Sequence, residues 1–466
     1  MSATFASFNS ALSALRYHQV VMDTASGNIA NVSTEGYARR RAVGETMGAP
    51  AVPAMWSRYD GSGDGVRTKG IERMTDPFLD IRARREHGNQ AYLDTQQATL
   101  DRVEAGIGEP GPNGVSAALA DFRKAWHDLA NNPGTDATRS QVLAAANTLA
   151  TAINNQSRNV STEEADQRGR LLNTVSEVNT LAADLAATNR SIASAQVSGT
   201  DAGTLLDQRD KLALELSELT GGVARQNANG GLDVFVGGQP LVEGQRAGRL
   251  DIATGVTPSG AADGASVTYT VTAPDGSTAA PSEALGGVVG ATTTLLNTTL
   301  PAYRAGLDAV ATSLATSVNT QHAAGFDKTG AAGGAFFSFD PANAAATLSI
   351  AITDVADIAA SSVAGGGLDG GNATAVSGEL ADAEGDYQRL VNVFGSEVSS
   401  VRRLAANQQV LTAQVDGSRE QLSGINLDEE MVTMLQAQRA YEAAARVMST
   451  LDSVLDTLIN RTGLVR

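Results

Sequence analysis

Apolar residues in this chain recur at alternating spacings of three and four over unusually long stretches. At the N-terminus Phe5, Phe8, Leu12, Leu15, Gln19, Met22, Ser26 and Ile29 step along in this way, two of them polar. The spacing returns in Val115, Leu119, Phe122, Trp126 and Leu129, and again in Leu171, Val175, Val178, Ala182, Leu185 and Ile192. It reappears in Leu300, Tyr303, Leu307, Val310, Leu314 and Val318, and in Tyr387, Val391, Phe394, Val398, Val401, Ala405 and Gln408. An α-helix places such positions on one narrow stripe. Narrow stripes on long helices are buried by other long helices, so the pattern predicts a bundle or coiled coil.

The punctuation between these stretches sets the organisation. Asn31-Val-Ser-Thr-Glu-Gly-Tyr37 ends the first helix, with Gly36 free to take a positive φ. Val66 and Ile71 read as short strand positions. Asn131-Asn-Pro133 stops the helix that holds Trp126, because proline disfavours a helical residue before it. Ser161-Thr-Glu-Glu164 reads as the capped start of the longest helix, with Glu163 and Glu164 complementing its dipole. Short β-like runs follow Gly221-Gly222, with turn signals at Gly237-Gly238 and Asp275-Gly276. A second β-like block covers 335–375. Asn426-Leu-Asp-Glu-Glu430 opens the last helix, Asn426 as N-cap and three acids in the first turn. Its apolar positions include Met431, Leu435, Tyr441, Val447, Leu451, Leu455, Leu458 and Ile459.

The expected fold is therefore mainly α with β-rich inserts. A long coiled-coil or helical-bundle rod is formed by both chain ends, and an outer β domain projects from it. Segments 1–43 and 424–466 are read as terminal helices. Segments 44–220, 290–330 and 376–423 make the helical rod, and 221–289 with 331–375 make the β-rich part. The two terminal helices can pair, since chain ends often lie close together. Their narrow seams bury too little to hold them firmly in an isolated chain, so the first ~30 and last ~40 residues are expected to order on assembly.

Composition narrows the function. With 34 Lys and Arg against 51 Asp and Glu, the net charge is −17. A face that binds nucleic acid must be basic, so nucleic acid is not an expected partner. Residues 201–466 carry 15 basic and 30 acidic side chains, so most of the excess lies there. The longest uncharged stretch, Ala284–Tyr303, is studded with threonine, so no membrane insertion is expected. The N-terminus lacks the basic and apolar regions of a cleaved secretory signal. Without cysteine there is no disulfide, thiolate nucleophile or cysteine-held metal.

Catalytic constellations are not found. The four histidines, His18, His87, His127 and His322, lie more than ten residues apart and read as structural or surface residues. No Gly-x-Ser-x-Gly elbow and no phosphate-binding Gly-x-x-x-x-Gly-Lys-Ser/Thr loop is present. Asp327-Lys-Thr-Gly330 lacks the alternating acids of a calcium loop and reads as a plain turn. No catalytic, cofactor-binding or metal-binding residue is assigned, and no enzymatic activity is expected.

The two chain ends carry a specific resemblance. Ala11-Leu-Ser-Ala-Leu15, Gln19, Asn28-Ile-Ala-Asn31, Thr34 and Gly36-Tyr37 are similar to the N-terminal signature of flagellar rod, hook and hook-associated proteins. Ser423-Gly-Ile-Asn-Leu-Asp-Glu-Glu430, Gln438-Arg-Ala-Tyr441 and Leu451–Leu458 resemble its C-terminal counterpart. Inside the chain, Leu119-Ala-Asp-Phe122, Trp126, Leu129–Pro133 and Arg139 resemble the hook-associated branch. So do Val236–Val242 and Asn319-Thr-Gln-His322-Ala-Ala-Gly325-Phe-Asp327. Glu35 departs from the pattern, standing where proline is usual before Gly-Tyr.

The resemblance implies a non-enzymatic junction protein between flagellar hook and filament, exported through the flagellar type III apparatus and located outside the cell. It implies self-association in a ring, contact with the hook protein, contact with the second junction protein on the filament side, and an export chaperone on the C-terminal helix. It assigns axial contacts to Leu12, Leu15, Asn28, Ile29, Asn31, Gly36 and Tyr37. At the other end it assigns them to Asn426, Leu427, Gln438, Tyr441, Leu451 and Leu455.

Overall fold

The computed structural model describes residues 2–47, 65–365 and 368–457. Leu458 and Ile459 of the last predicted seam lie outside the described residues, and so do the side chains of residues 2–6. Helix α1 (Ser2–Ala30) leads into a hairpin of β1 (Arg40–Met47) and β2 (Gly65–Arg73). Helices α2 (Pro77–Ile107), α3 (Val115–Asn131), α4 (Asp136–Ser198) and α5 (Gly203–Thr220) follow. A β region holds β3 (Val223–Gln226), β4 (Leu232–Val236), β5 (Gln239–Glu243), β6 (Arg246–Ala247), β7 (Arg249–Thr254), β8 (Thr268–Thr272) and β9 (Thr278–Ala279). Helix α6 (Gly287–Thr294) passes through a π-turn (Leu295–Thr299) into α7 (Leu300–Ala323). Short pieces β10 (Phe337–Ser338), α8 (Ala344–Thr347) and β11 (Ser349–Ile350) come next. Helices α9 (Gly371–Ser423) and α10 (Leu427–Asp456) close the chain.

The mainly α architecture with β-rich insertions is thus the observed one. Helix α4 is its spine, 63 residues long without a break. The expected start at Ser161 is not there, and the reason lies in the acids. Glu163 is buried in mid-helix and accepts from Arg102 of α2 at 2.7 Å and from Gln167 at 2.7 Å. Burial pushes its carboxyl up, but these donors outweigh burial and hold it below its usual range. Glu164, also buried, faces Arg304 of α7 at 2.9 Å, and there burial prevails and raises the carboxyl. Both acids tie α4 to its neighbours and serve no helix start.

Three buried clusters are threaded along this spine. The first joins Leu119, Phe122, Trp126, Leu149, Leu314 and Tyr387 of α3, α4, α7 and α9. The second joins Leu171, Val178 and Leu185 of α4 to Leu216 of α5 and to Val234, Val236, Leu250 and Val271 of the β region. Between them, Leu100, Val160, Tyr303, Phe394 and Val398 form the third. The predicted stripes supply the core of each. The π-turn precedes Pro301, whose ring nitrogen cannot donate to the preceding turn, so the ladder widens there.

In the β region β4 alternates cleanly, with Leu232, Val234 and Val236 turned inward. It turns into β5 through Gly237 and Gly238, at φ of 54° and 78°, as the expected hairpin requires. The sheet orders are β3-β4-β5-β6 and β7-β8-β9. The 331–375 segment differs from expectation. Its strands β10 and β11 have two residues each, and its Phe336, Phe337, Leu348 and Ile358 enter the first cluster with Trp126. It is a cap on the rod core and no part of the 221–289 sheets, because its aromatic pair finds its apolar surroundings between α3 and α7.

Polar residues of the resemblance motifs fasten this cap. Asn319 accepts from the Phe336 and Phe337 N–H groups at 2.8 and 2.7 Å and donates to the Phe337 carbonyl at 2.8 Å. His322 is fully buried; Nδ1 meets the Gly334 carbonyl at 2.7 Å, and Nε2 accepts the Ala359 N–H at 2.9 Å. Asp327 accepts from Thr329 and Ala331 N–H groups in the expected plain turn, with Gly330 at φ 86°. Replacing Asn319 by alanine orphans three backbone groups and is expected to lower stability by about 2 kcal/mol. The urea midpoint measures this, and Asn319→Asp, which cannot donate to Phe337, is expected to fall on the same side.

Candidate functional site

The two chain ends meet around one buried side chain. Helix α1 packs along α10, and the β1–β2 hairpin packs along α1. Asn28, in the last turn of α1, is fully buried and uses every polar valence. Its Nδ2 donates to the Arg40 carbonyl at 2.8 Å and to Glu430 of α10 at 3.0 Å. Its Oδ1 accepts the Arg40 N–H at 3.0 Å and the Tyr37 hydroxyl at 3.0 Å. One side chain therefore joins the first helix, the following turn, the first strand and the last helix. A buried amide with four partners fixes a unique register, because any slip leaves several polar groups unpaired.

The surroundings follow from local chemistry. Tyr37 N–H bonds back to the Thr34 carbonyl at 3.2 Å, and Gly36 sits at φ 78°, the third position of a type II turn. Glu35, where proline is usual, leaves this turn intact and reaches Lys211 of α5 at 3.0 Å. Asn31 closes α1 by donating to the Gly27 carbonyl at 2.8 Å. Asn426 accepts from the Asp428 and Glu429 N–H groups, the predicted N-cap. Glu429 is exposed, as a dipole-complementing acid should be. Glu430 is not: it is 3% exposed and also accepts from Arg39 at 2.7 Å. Reading it as a dipole acid alone missed its partners across the chain.

An ionic belt anchors this terminal unit to the rod. Arg40 reaches Asp207 at 3.1 Å, and Arg73 reaches Asp207 at 2.7 Å and Asp210 at 2.8 Å, all on α5. Arg419 of α9 reaches Asp80 of α2 at 3.0 Å. His87 of α2 is held by Glu218 of α5 and Asp416 of α9, each at 3.0 Å. Arg39, Arg40, Arg73 and His87 were not picked out as site residues. Arg39-Arg40-Arg41 is the one visible sign, three cations beside a helix end in an acidic chain.

The predicted contact residues divide between faces. On α10, Ala437 is buried and Leu451 and Leu455 are half-buried, and all three share the stripe that begins at Glu430. Leu427, Met431 and Leu435, each 44–50% exposed, follow at i, i+4 and i+8 on a second stripe with exposed Gln438 and Tyr441. Among the described side chains of α1 the buried ones are Ala11, Ala25 and Asn28. The predicted seam through Leu12, Leu15, Met22 and Ile29 is half-buried, and its Gln19 and Ser26 are exposed. Small residues let the pair approach closely, so the larger apolar residues lie toward the outside. Helix α10 thus holds an apolar stripe that this chain leaves exposed, and the larger apolar residues of α1 are only partly covered.

No helix among the described residues is long and apolar enough to cross a membrane. Nor do the described residues contain a group of three or more His, Asp or Glu side chains that could hold a metal.

Comparison with known proteins gives the family. The profile described as the helical domain of the flagellar hook-associated protein FlgK matches residues 100–337, just over half the chain. The chain belongs to the FlgK family of flagellar hook-associated proteins. Profiles of the flagellar basal body rod proteins match both ends, at residues 8–37 and 420–461. Flagellar hook-associated protein 1 of Bacillus subtilis is 29% identical over 100% of this chain and 99% of its own length. The Escherichia coli protein of the same name is 23% identical over 97% and 99%. The solved flagellar hook junction protein FlgK from Burkholderia pseudomallei shares the fold, with a TM-score of 0.62 and 19% identity, over 74% of this chain and all of that one. Within the FlgK family frame, the rod-type profiles fall on the helices that Asn28 and Glu430 tie together.

The belt has a pH signature. Both His87 nitrogens face carboxylates, and only a doubly protonated ring donates to both. The Glu218 hydrogen bond raises its pKa against the opposing effect of burial, with Asp416 adding to the rise. A raised pKa means that the native state binds the proton more tightly than the unfolded state. The stabilisation is therefore complete below the unfolded value of about 6.5 and is lost as pH rises through the folded value. His87→Gln is expected to lower the denaturant midpoint at pH 6 and to leave it nearly unchanged at pH 9.

Proposed function

We propose that this chain is a structural subunit of the bacterial flagellum that joins hook to filament, and that it has no catalytic activity. Its segments 1–43 and 424–466 form an axial helical core. Segments 44–220, 290–330 and 376–423 form the rod around it, with 331–375 as the rod's cap, and the 221–289 sheets face outward. Copies of the chain associate in a ring, with the hook protein on one side and the second junction protein and filament on the other. Before export through the flagellar type III apparatus, a small chaperone holds the C-terminal helix.

The carrying observation is the exposed stripe of α10, beside the half-buried seam of α1, on helices whose register is fixed internally. Apolar stripes of this length on exposed helices mark a surface that another protein covers. Leu427, Met431, Leu435 and Tyr441 on α10, with Leu12, Leu15 and Ile29 on α1, are the contacts expected to be covered. The family assignment supports the flagellar setting, and the absence of cysteine suits a chain that travels unfolded and assembles outside the cell.

Deleting the gene in its own bacterium tests the reading. Hooks are expected to persist without filaments while filament subunits appear in the medium. Bare rods without hooks would instead indicate a hook or distal-rod subunit, and unchanged motility would remove any axial role. In a complementation assay, Met431→Asp with Leu435→Asp is expected to fail although the purified variant keeps its thermal transition.

A further inference from the structure

Packing between elements stops where the terminal unit meets the rod. Helices α1 and α10 pack on each other, and the β1–β2 hairpin packs on α1, while α2 packs on α9 and α5. Among the described residues no terminal element packs along a rod element. Nor does α1, β1, β2 or α10 supply a residue to the three apolar clusters. The chain passes between unit and rod at two places, Met74-Thr-Asp76 and Gly424-Ile-Asn426. Non-directional apolar burial, which locks the rod together, is therefore missing from this joint.

Charge holds the joint instead. Asp207 and Asp210 stand one turn apart on α5 and form a two-carboxylate catch. Arg73 bridges both, and Arg40 reaches Asp207 and also the Thr204 hydroxyl at 3.0 Å. Lys211 meets Glu35, and the Arg39 N–H donates to the Ser423 carbonyl at 2.9 Å. The fit is imperfect, because the enclosed Nε of Arg40 has no hydrogen-bond partner. The Arg40 guanidinium lies over the Tyr37 ring and against Gly203, where a Cβ would come within 2.9 Å of its Cζ. A cavity of about 470 Å³ opens at the joint. Gly36 and Tyr37 line it from the terminal unit, and Thr75, Asp76, Ser423 and Gly424 line it where the chain passes across.

We propose that this joint is a hinge closed by a charge latch, Arg40 and Arg73 on Asp207 and Asp210. With the latch closed, the terminal unit sits on α5. With it open, α1, the hairpin and α10 pivot as one body at Thr75 and Gly424. They stay together because the Asn28–Glu430 node lies wholly inside that body. Few element-terminal residues absorb such a motion, and no apolar surface is torn open by it. The latch sets the angle between the terminal helices and the rod, whatever covers the stripes on those helices, so it stands or falls without the flagellar reading.

The chain has no cysteine, so pairs of spin labels can be placed cleanly on the full chain. Labels at Lys69→Cys and Ala165→Cys span the joint, and labels at Ser26→Cys and Ala443→Cys span the node; all four positions are exposed. Double electron–electron resonance is expected to give one narrow distance for each pair in the otherwise unchanged chain. Asp207→Asn with Asp210→Asn is expected to roughly double the width of the joint distribution and to leave the node pair unmoved. Gly203→Ala, which crowds Arg40 and keeps both acids, is expected to broaden the joint in part, and it decides the matter if the double variant does not fold. A joint distance unmoved in the folded variants overturns the proposal, since something other than the latch then holds the unit. So does a joint already as broad before substitution, or a node pair that broadens with the joint, since the unit would then not move as one body.

Discussion

The four hydrogen bonds of Asn28 hold the two ends of the chain in one register. They link residues 402 positions apart in sequence, from Asn28 to Glu430. The alternative pairings of two amphipathic helices differ little in apolar burial, so burial alone cannot select among them. A buried amide that also serves the Tyr37 hydroxyl and both backbone groups of Arg40 can. Once it is placed, the covered face of each helix is settled, and so is the face left open. The half-buried seam of α1 and the exposed stripe of α10 follow from where Asn28 and Glu430 must meet.

The rod supplies what this node needs, a rigid frame with oriented charges. Helix α5 presents Asp207 and Asp210 to Arg40 and Arg73, and the neighbouring α9 presents Arg419 and Asp416. Most of these side chains are half-buried, where ion pairs are screened less than at an open surface. The frame is stiff because α4 runs through three core clusters without a break. Glu163 and Glu164, buried along it, receive arginines from helices on different sides.

Periodicity revealed much of this in advance. The stripes through Trp126, Val178 and Leu314 became core as read, since a stripe reports burial on a helix regardless of partner. The N-cap at Asn426, the stop at Pro133 and the turns at Gly36 and Gly237 were legible because each rests on a local backbone requirement. What stayed hidden was long-range. The acids at 163 and 164 imitate a helix start, and only Arg102 and Arg304, remote in sequence, show that they sit in mid-helix. Glu430 looks like a dipole acid until Asn28 is beside it. The 335–375 block has strand-like composition, yet its phenylalanines pack on Phe122 and Trp126 of α3, far away in sequence.

The central claim is that register is fixed at the node while the outer lengths of both terminal helices depend on partners that this chain does not supply. Hydrogen exchange on the isolated subunit tests it most directly. Strong protection is expected at Ala25–Asn28 and Glu430–Ala437, falling away toward Leu12–Met22 and toward Val447–Leu455. Protection of the outer lengths equal to that of α3 and α4 would contradict the account, because the chain alone would then hold them firmly.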